Sequence, residues 1–246
     1  MKITIITVAY NSAATIADTL RSVAEQTHKN VEHIVIDGAS NDGTLALVRE
    51  HSAPTTHVLS EPDRGIYDAM NKGLRLATGD LVGFLNADDI FDNEDVVSQV
   101  AHAASNPSID AVYGDLVYVT QNDPSQLVRH WRSGRFTRSR LGFGWMPPHP
   151  TLYIRKSLLT KVGDFDTSFR IAADYDFMLR LLGNPSVEVC YLPKVLVRMR
   201  TGGVSNRSLP ALWRKSSEDL RALRSNDIGG VATLLCKNLR KLPQFF

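Results

Sequence analysis

Four short apolar runs set the terms for this chain, because each breaks off into polar or acidic residues at its carboxyl end. Ile3–Ala9 is almost continuously apolar or β-branched, the composition of a strand covered on both faces. Glu32–Asp37, His57–Ser60 and Leu81–Leu85 repeat the theme at shorter length. Helix signals lie between them. Asn11 and Ser12 offer N-cap chemistry to a helix reaching about Thr27. The turn-rich Gly38-Ala39-Ser40-Asn41-Asp42-Gly43 precedes a helix to about His51, and Ile66–Ala77 reads as a third, stopped by Thr78-Gly79-Asp80. The order βαβαβαβ predicts an α/β fold with a doubly wound, mostly parallel central sheet and helices on both faces. Ligands of such sheets collect at the carboxyl ends of the strands. Here those ends carry Asn11, Asp37, Glu61, Asp63, Asn86, Asp88 and Asp89.

The second half is less regular. Ala111–Val119 reads as a strand, Arg129–Trp145 as a long glycine- and arginine-rich loop, and Thr151–Ile154 as a further strand after the break at Met146-Pro147-Pro148-His149-Pro150. Ala172–Leu182 is apolar on one helical face. A loop containing Gly202 and Gly203 leads to one or two basic helices between about Leu209 and Leu242. No clean linker divides the chain, which favours one domain over 1–205 and a C-terminal helical appendage over 206–246.

Charge separates the two halves. The net charge of +2 conceals 7 Lys/Arg against 18 Asp/Glu in residues 1–128 and 21 against 8 in residues 129–246. Such asymmetry suits cation handling in one half and anion handling in the other. No apolar run approaches the about 18 residues of a membrane span. The amino terminus lacks a small-residue cleavage site and reads as a strand rather than a signal peptide. Two cysteines, Cys190 and Cys236, exclude a disulfide framework and have no metal-ligand spacing. A cytoplasmic location is expected.

Three stretches carry candidate chemistry. Leu81–Asp89 is a strand delivering carboxylates into a turn, which suits a hard divalent ion that takes one or two carboxylates, waters and phosphate oxygens; turn-stabilising Asx caps are the alternative. In Arg170–Arg180, Asp174 and Asp176 lie about 200° apart on a helix, so at most one faces a given pocket. A carboxylate there either complements the helix dipole or serves as a general base. The loop Arg198-Met199-Arg200-Thr201-Gly202-Gly203-Val204-Ser205 joins arginines to glycines that free backbone N–H groups for an anion, though a plain turn has the same composition. Neither a dinucleotide nor a P-loop fingerprint is present, and no Gly-x-Ser-x-Gly elbow occurs.

Together these motifs resemble the inverting family-2 glycosyltransferases of the GT-A fold, in the right order over roughly residues 1–205. Ile5-Ile6-Thr7-Val8-Ala9-Tyr10-Asn11 is similar to the family's first strand and nucleotide loop, and Val35-Ile36-Asp37-Gly38-Ala39-Ser40-Asn41-Asp42-Gly43-Thr44 to its second. Glu61-Pro62-Asp63-Arg64-Gly65-Ile66-Tyr67-Asp68-Ala69-Met70-Asn71-Lys72-Gly73 resembles bacterial enzymes of capsule, exopolysaccharide or lipopolysaccharide assembly, including the colanic acid type. Phe84-Leu85-Asn86-Ala87-Asp88-Asp89 resembles the Asp-x-Asp metal motif. Gly163-Asp164-Phe165-Asp166 with Ala173-Asp174-Tyr175-Asp176-Phe177 resembles the acceptor-side motif.

The resemblance implies a metal-assisted transferase using a nucleotide-sugar donor, a UDP-sugar foremost, and a glycan or lipid-linked acceptor. Val8, Ala9, Tyr10, Asn11, Asp37, Asp63, Asn71, Asn86, Ala87 and Arg200 would contact the donor, with Tyr10 and Asp37 at the nucleoside and Arg200 at the diphosphate. Asp88 would hold Mg²⁺ or Mn²⁺, with Asn86 and His149 as further candidate ligands. Asp174 would be the catalytic base, and Asp176 a structural partner for an arginine. The sequence departs from the family pattern at Gly38, where a second aspartate is common, at Met70, at Asn86, and in lacking a late histidine over Arg198–Ser205. These departures motivate the competing reading, a non-catalytic nucleotide-sugar or glycan-binding module on the same fold. Residues 228–246 are basic and amphipathic, so they suit either the inner face of the cytoplasmic membrane or packing on the domain. Nucleic acid is not an expected partner, and no feature sets an oligomeric state.

Overall fold

The computed structural model describes residues 1–202 and 209–240, with 209–212 as backbone only. The expected boundary near 205, Gly203, Val204 and Ser205 of the glycine loop, and the tail from 241 lie outside the described residues. Nine strands form one sheet. They are β1 (Ile3–Ala9), β2 (Val31–Asp37), β3 (His57–Ser60), β4 (Leu81–Phe84), β5 (Ile90–Phe91), β6 (Ala111–Val119), β7 (Leu127–Trp131), β8 (Tyr153–Arg155) and β9 (Val189–Arg200). The helices are α1 (Ile16–Ala24), α2 (Thr44–His51), α3 (Ile66–Leu76), α4 (Val96–Ala103), α5 (Lys156–Val162), α6 (Ala173–Gly183), α7 (Leu209–Ser225) and α8 (Val231–Leu239).

The sheet order is β3-β2-β1-β4-β8-β6-β9-β5, with β7 on β6. The four strands of the first half are mutually parallel, as their βα alternation dictates. β1 is buried along its whole length because its two faces serve two layers. Ile6 and Val8 join Ile34, Ile36 and α3's Tyr67, Ala69 and Met70 on one side. Ile3 and Ile5 meet Val23 of α1 and Val96, Val97 and Val100 of α4 on the other. Helices on both faces follow directly from a strand with no polar face.

The structure departs from the sequence reading in several places, beyond adding β5, α4 and α5. The stretch expected as a loop over Arg129–Trp145 begins inside β7, antiparallel to β6. Alternation is masked there because the charged Arg129 packs its guanidinium 3.9 Å above the Tyr118 ring. The same stretch ends at a buried Trp145, whose indole N–H donates to the Ser133 carbonyl at 2.9 Å. The twelve residues of β9 were not anticipated, so Arg198 and Arg200 stand on a strand rather than in a loop. Pro193 and Lys194 interrupt its pattern, and pairing with β6 jumps from Tyr113↔Tyr191 to Asp115↔Val195, a bulge that absorbs the proline. Finally, α1 starts at Ile16, since Asn11 turns left-handed (φ +49°) and the Ser12 carbonyl accepts the N–H groups of Thr15 and Ile16.

The C-terminal helices form where expected and lie on the body. Ala222 and Leu223 of α7 are fully buried in the core that also holds α6. Lys237 of α8 pairs with Asp219 at 2.8 Å, its ammonium 3.2 Å above the Tyr175 ring, and the Thr233 hydroxyl donates to the Gly142 carbonyl at 2.9 Å. No helix of the described residues is long and apolar enough to cross a membrane.

β4, which delivers Asn86–Asp89, depends on a close approach. A methyl group at Gly83 would sit 2.5 Å from the ring of Tyr153, a fully buried residue of the neighbouring strand. Gly83→Ala is therefore expected to cost about 1–3 kcal/mol through overpacking, read as a lower urea midpoint with unchanged slope.

Candidate active site

The carboxyl ends of β1 and β2 are in register, Ala9 opposite Asp37. The loops beyond them interlock: Asn11 donates its N–H to Ser40 Oγ (2.9 Å) and accepts the Asn41 N–H on Oδ1 (3.0 Å). Val8 and Ala9 are buried, while Tyr10 is 66% exposed and offers its ring as a wall. Asp37 is wholly buried; its carboxylate accepts the Ser60 hydroxyl (2.6 Å) and the Ser40 N–H (3.2 Å). Both contacts brace the loop. Gly38 forms the floor between Tyr10 and Asp63, since a Cβ there would meet Asp63 Oδ2 at 2.9 Å and Tyr10 Cδ2 at 3.3 Å. The space a second aspartate would fill is taken by Asp63, which reaches in from the loop after β3. Lys72 holds Asp63 at 2.5 Å and Glu61 at 2.9 Å.

The turn after β4 brings together Asn86, Ala87, Asp88 and Asp89. Asp89 is fully buried and accepts the Asn86 amide N–H at 3.1 Å. Burial, then the neighbouring Asp88 charge, push the Asp89 carboxyl well up from its ordinary value. Burial also raises Asp88, against the opposing effect of Arg200. Arg200 is buried, donates to the Asp88 carbonyl (2.9 Å) and pairs with Asp18 (2.6 Å). Arg200, expected at the diphosphate, is thus held against this turn by two partners. Asn86 Oδ1, Asp89 Oδ1 and Arg200 Nε are buried with no hydrogen-bond partner. Unpaired oxygens beside carboxyls pushed toward neutrality are what a bound cation would relieve, so the turn fits a divalent ion. Among the described residues no three His, Cys, Asp or Glu side chains cluster tightly enough to hold an ion alone. His149 accordingly does not complete a set with Asp88. Its ring packs against Phe84 and Phe165, at centroid distances of 5.2 and 5.7 Å, and burial lowers its pKa against the pull of the Asp174 charge.

The third wall is the start of α6. Asp174 Oδ1 accepts the Tyr175 N–H (2.8 Å) and lies 3.3 Å from the Tyr67 hydroxyl, which donates to the Ile171 carbonyl at 2.5 Å. Burial, reinforced by the Asp174 charge, raises the Tyr67 phenol far above its ordinary value, so it remains a donor. Asp176 points away, paired with Arg180 (2.9 Å) and Asn226 (2.9 Å), as the 200° offset requires. Asn71, expected at the donor, instead spends both ends of its buried amide on Phe165: Oδ1 accepts the Phe165 N–H and Nδ2 donates to its carbonyl, each at 2.9 Å. Sequence reasoning passed over Tyr67, although its i, i+4 spacing from Asn71 places both on the α3 face that meets the 163–174 segment. Glu218 was also missed. It and Asp219 are the only acids in the basic α7, and that isolation is its signal.

The chain belongs to glycosyl transferase family 2, whose model matches residues 4–173. It is a glycosyltransferase of the GT-A type. The PGL/p-HBAD biosynthesis glycosyltransferase of Mycobacterium bovis (strain BCG / Pasteur 1173P2) is 33% identical over 201 residues, 80% of this chain and 76% of the relative. Among solved structures, S. aureus TarS 1–349 in complex with UDP superposes with a TM-score of 0.70 at 19% identity, covering 99% of this chain and 72% of that one. This chain spans 44% of a longer TarS structure. The mannosyltransferase PcManGT of Pyrobaculum calidifontis, in complex with GDP-Man and Mn²⁺, gives 0.67 at 21% identity, over 99% and 70% of the two chains.

The notch over Gly38 is directly testable. Gly38→Val inserts side-chain atoms against Asp63 and Tyr10 at the edge of the sheet. Calorimetric titration with UDP is expected to show binding weakened by about tenfold or more, the cost of a sterically blocked subsite. Equal affinity would remove the notch from the nucleotide site.

Proposed function

We propose that this glycosyltransferase moves a sugar from a UDP-sugar to a hydroxyl of a growing, lipid-linked surface-polysaccharide acceptor, of the capsule, exopolysaccharide or lipopolysaccharide kind, with inversion. The observation that carries the reading is the pairing of two walls across the Phe84–Phe165–His149 stack. On one side the turn at Asn86–Asp89 fits a cation. On the other, Asp174 stands at the mouth of α6, held in place by the Tyr175 N–H and Tyr67. The UDP and GDP-Man held by the fold neighbours support a nucleotide-sugar donor, and the Mn²⁺ of one of them supports a divalent metal.

In this reading Tyr10 packs on the base, and Asp63 accepts from a ring N–H over the Gly38 floor. Asp88 and Asn86 would hold the ion, which when bound neutralises charge on the diphosphate. Asp174 takes the proton of the acceptor hydroxyl. That oxygen bonds to the anomeric carbon from the face opposite the diphosphate as the carbon–phosphate-oxygen bond breaks, and the electron pair leaves with the nucleoside diphosphate. Arg200 steadies the Asp88 backbone beneath the leaving group.

A thermal-shift panel of UDP-glucose, UDP-GlcNAc and GDP-mannose with Mn²⁺ identifies the donor, and release of nucleoside diphosphate measures turnover. Asp174→Asn is expected to lower turnover by roughly 10³-fold with donor affinity retained. EDTA is expected to abolish turnover, and added Mn²⁺ to restore it. Donor binding without turnover under every condition would instead favour the non-catalytic module.

The acceptor side rests on α8. Val231, Leu235 and Leu239, spaced four residues apart, are 54%, 59% and 61% exposed. From 228 to 246 the chain carries Lys237, Arg240 and Lys241 and no acid. An exposed apolar stripe with basic flanks suits an anionic lipid surface. Because Thr233 and Lys237 tie α8 to the body, substitution is a cleaner probe than truncation. Leu235→Ser with Leu239→Ser is expected to cut co-sedimentation with phosphatidylglycerol vesicles to the level seen with phosphatidylcholine, at unchanged melting temperature. Undiminished sedimentation would overturn the membrane contact.

A further inference from the structure

We propose that Glu218, on the C-terminal helix α7, is the positioning residue that aims Asp174. The inference rests on Asp174 as the base and explains how that carboxylate is held.

α6 has no side-chain cap of its own at Ala172. The cap arrives from 46 residues downstream. Glu218 Oε1 accepts the Arg170 N–H at 3.1 Å, and Oε2 accepts those of Ile171 and Ala172 at 2.8 and 3.0 Å. These are successive amides leading into the first turn of α6, whose exposed N–H groups and dipole both favour a carboxylate. Charge-assisted bonds of this kind are the stronger and more directional ones. The Ile171 peptide is gripped from both sides, its N–H by Glu218 and its carbonyl by the Tyr67 hydroxyl at 2.5 Å. Three residues on, Asp174 Oδ1 sits 3.3 Å from that same hydroxyl. Rotation of the 170–172 segment would therefore move the base and break its contact with Tyr67 in one motion.

Neighbouring contacts make the grip a line rather than a point. Arg221, three residues along α7, lies 3.5 Å above the Phe169 ring and donates to Ser168 Oγ at 3.2 Å. Asn226 donates to Asp176 Oδ1 at 2.9 Å. Side chains from α7, and from Asn226 one residue past its end, thus touch the chain at 168, 169, 170–172 and 176, on both sides of Asp174. An Asp174 aimed only by α6 would have no need of them.

The test compares Glu218→Ala, Glu218→Gln and Asp174→Asn in the full chain, using release of nucleoside diphosphate from the donor selected above. Glu218→Ala is expected to lower kcat by about 10- to 100-fold with the donor KM within about twofold, the signature of a displaced group rather than a lost binding contact. Glu218→Gln keeps one carbonyl oxygen for Ile171 and Ala172 and is expected to recover most of that loss. A Glu218→Ala kcat within about twofold of wild type, beside an inactive Asp174→Asn, overturns the positioning role alone. An active Asp174→Asn overturns the base itself. If Glu218→Ala does not fold, Glu218→Asp, which shortens the reach to the 170–172 amides by one methylene, decides: a kcat severalfold down at constant KM supports the proposal. A wild-type kcat, or parallel loss of kcat and donor affinity, ends it.

Discussion

The amide of Asn71 is the joint on which the rest of the site hangs. A primary amide has one acceptor and two donors, and buried in a protein interior it is costly unless both ends are used. Here both ends close on a single residue, binding the N–H and the carbonyl of Phe165. That two-point clamp fixes the ring of Phe165 at the centre of four others: Tyr67 at 5.9 Å, Phe84 at 5.5 Å, His149 at 5.7 Å and Phe177 at 4.5 Å. Tyr67 belongs to α3, Phe84 to the strand before the Asn86–Asp89 turn, and Phe177 to α6, which carries Asp174. One aromatic residue, held by its backbone, therefore sets the spacing between the Asn86–Asp89 turn and the start of α6. Because such a cluster is close-packed, a displacement in one wall is felt in the other.

Charge is managed by the same logic of local pairing across distance. The acidic first half does not leave its strand-end carboxylates uniformly free. Lys72 neutralises Asp63 and Glu61 from the next helix, and Arg200, arriving from β9 in the basic half, pairs with Asp18 beneath the Asp88 turn. Burying a guanidinium carries a desolvation cost, which the Asp18 carboxylate and the Asp88 carbonyl offset. Burial, and at Asp89 also the neighbouring Asp88 charge, pushes both carboxyls upward against the opposing effect of Arg200. The overall balance of +2 is the sum of such arrangements and describes none of them.

Legibility in the sequence followed the range of the interactions. The strands Ile3–Ala9 and Ala111–Val119 were readable to the residue because their apolar or β-branched composition is dictated by burial on the spot, while the largely exposed His57–Ser60 was readable from its place in the βα alternation. β7 and β9 were not, since a charged residue stacked on tyrosine and a proline inside a bulge hide the alternation. The motif order located the site. It did not reveal that Asn71 is a clamp rather than a donor contact, because an asparagine in a helix looks the same whichever chain it bonds. Asp176 could be separated from Asp174, since helical geometry is local. Glu218 could not be connected to α6, since its partners are backbone amides 46 to 48 positions away.

The C-terminal pair reverses the usual amphipathic arrangement, and this makes it more than a cover. A helix that only closes a core turns its apolar stripe inward. α7 does bury Ala222 and Leu223, yet Glu218 and Arg221, with Asn226 just past its end, meet the 168–176 segment through polar groups. In α8, Thr233 and Lys237 turn to the body beside Leu234, which packs on the core, while Val231, Leu235 and Leu239 face out. Polar inward contacts are directional and fix angles, whereas apolar ones mainly fix distance. A segment whose inward polar contacts are directional and whose outward stripe is apolar holds the 168–176 segment in register on one side and leaves an apolar face on the other.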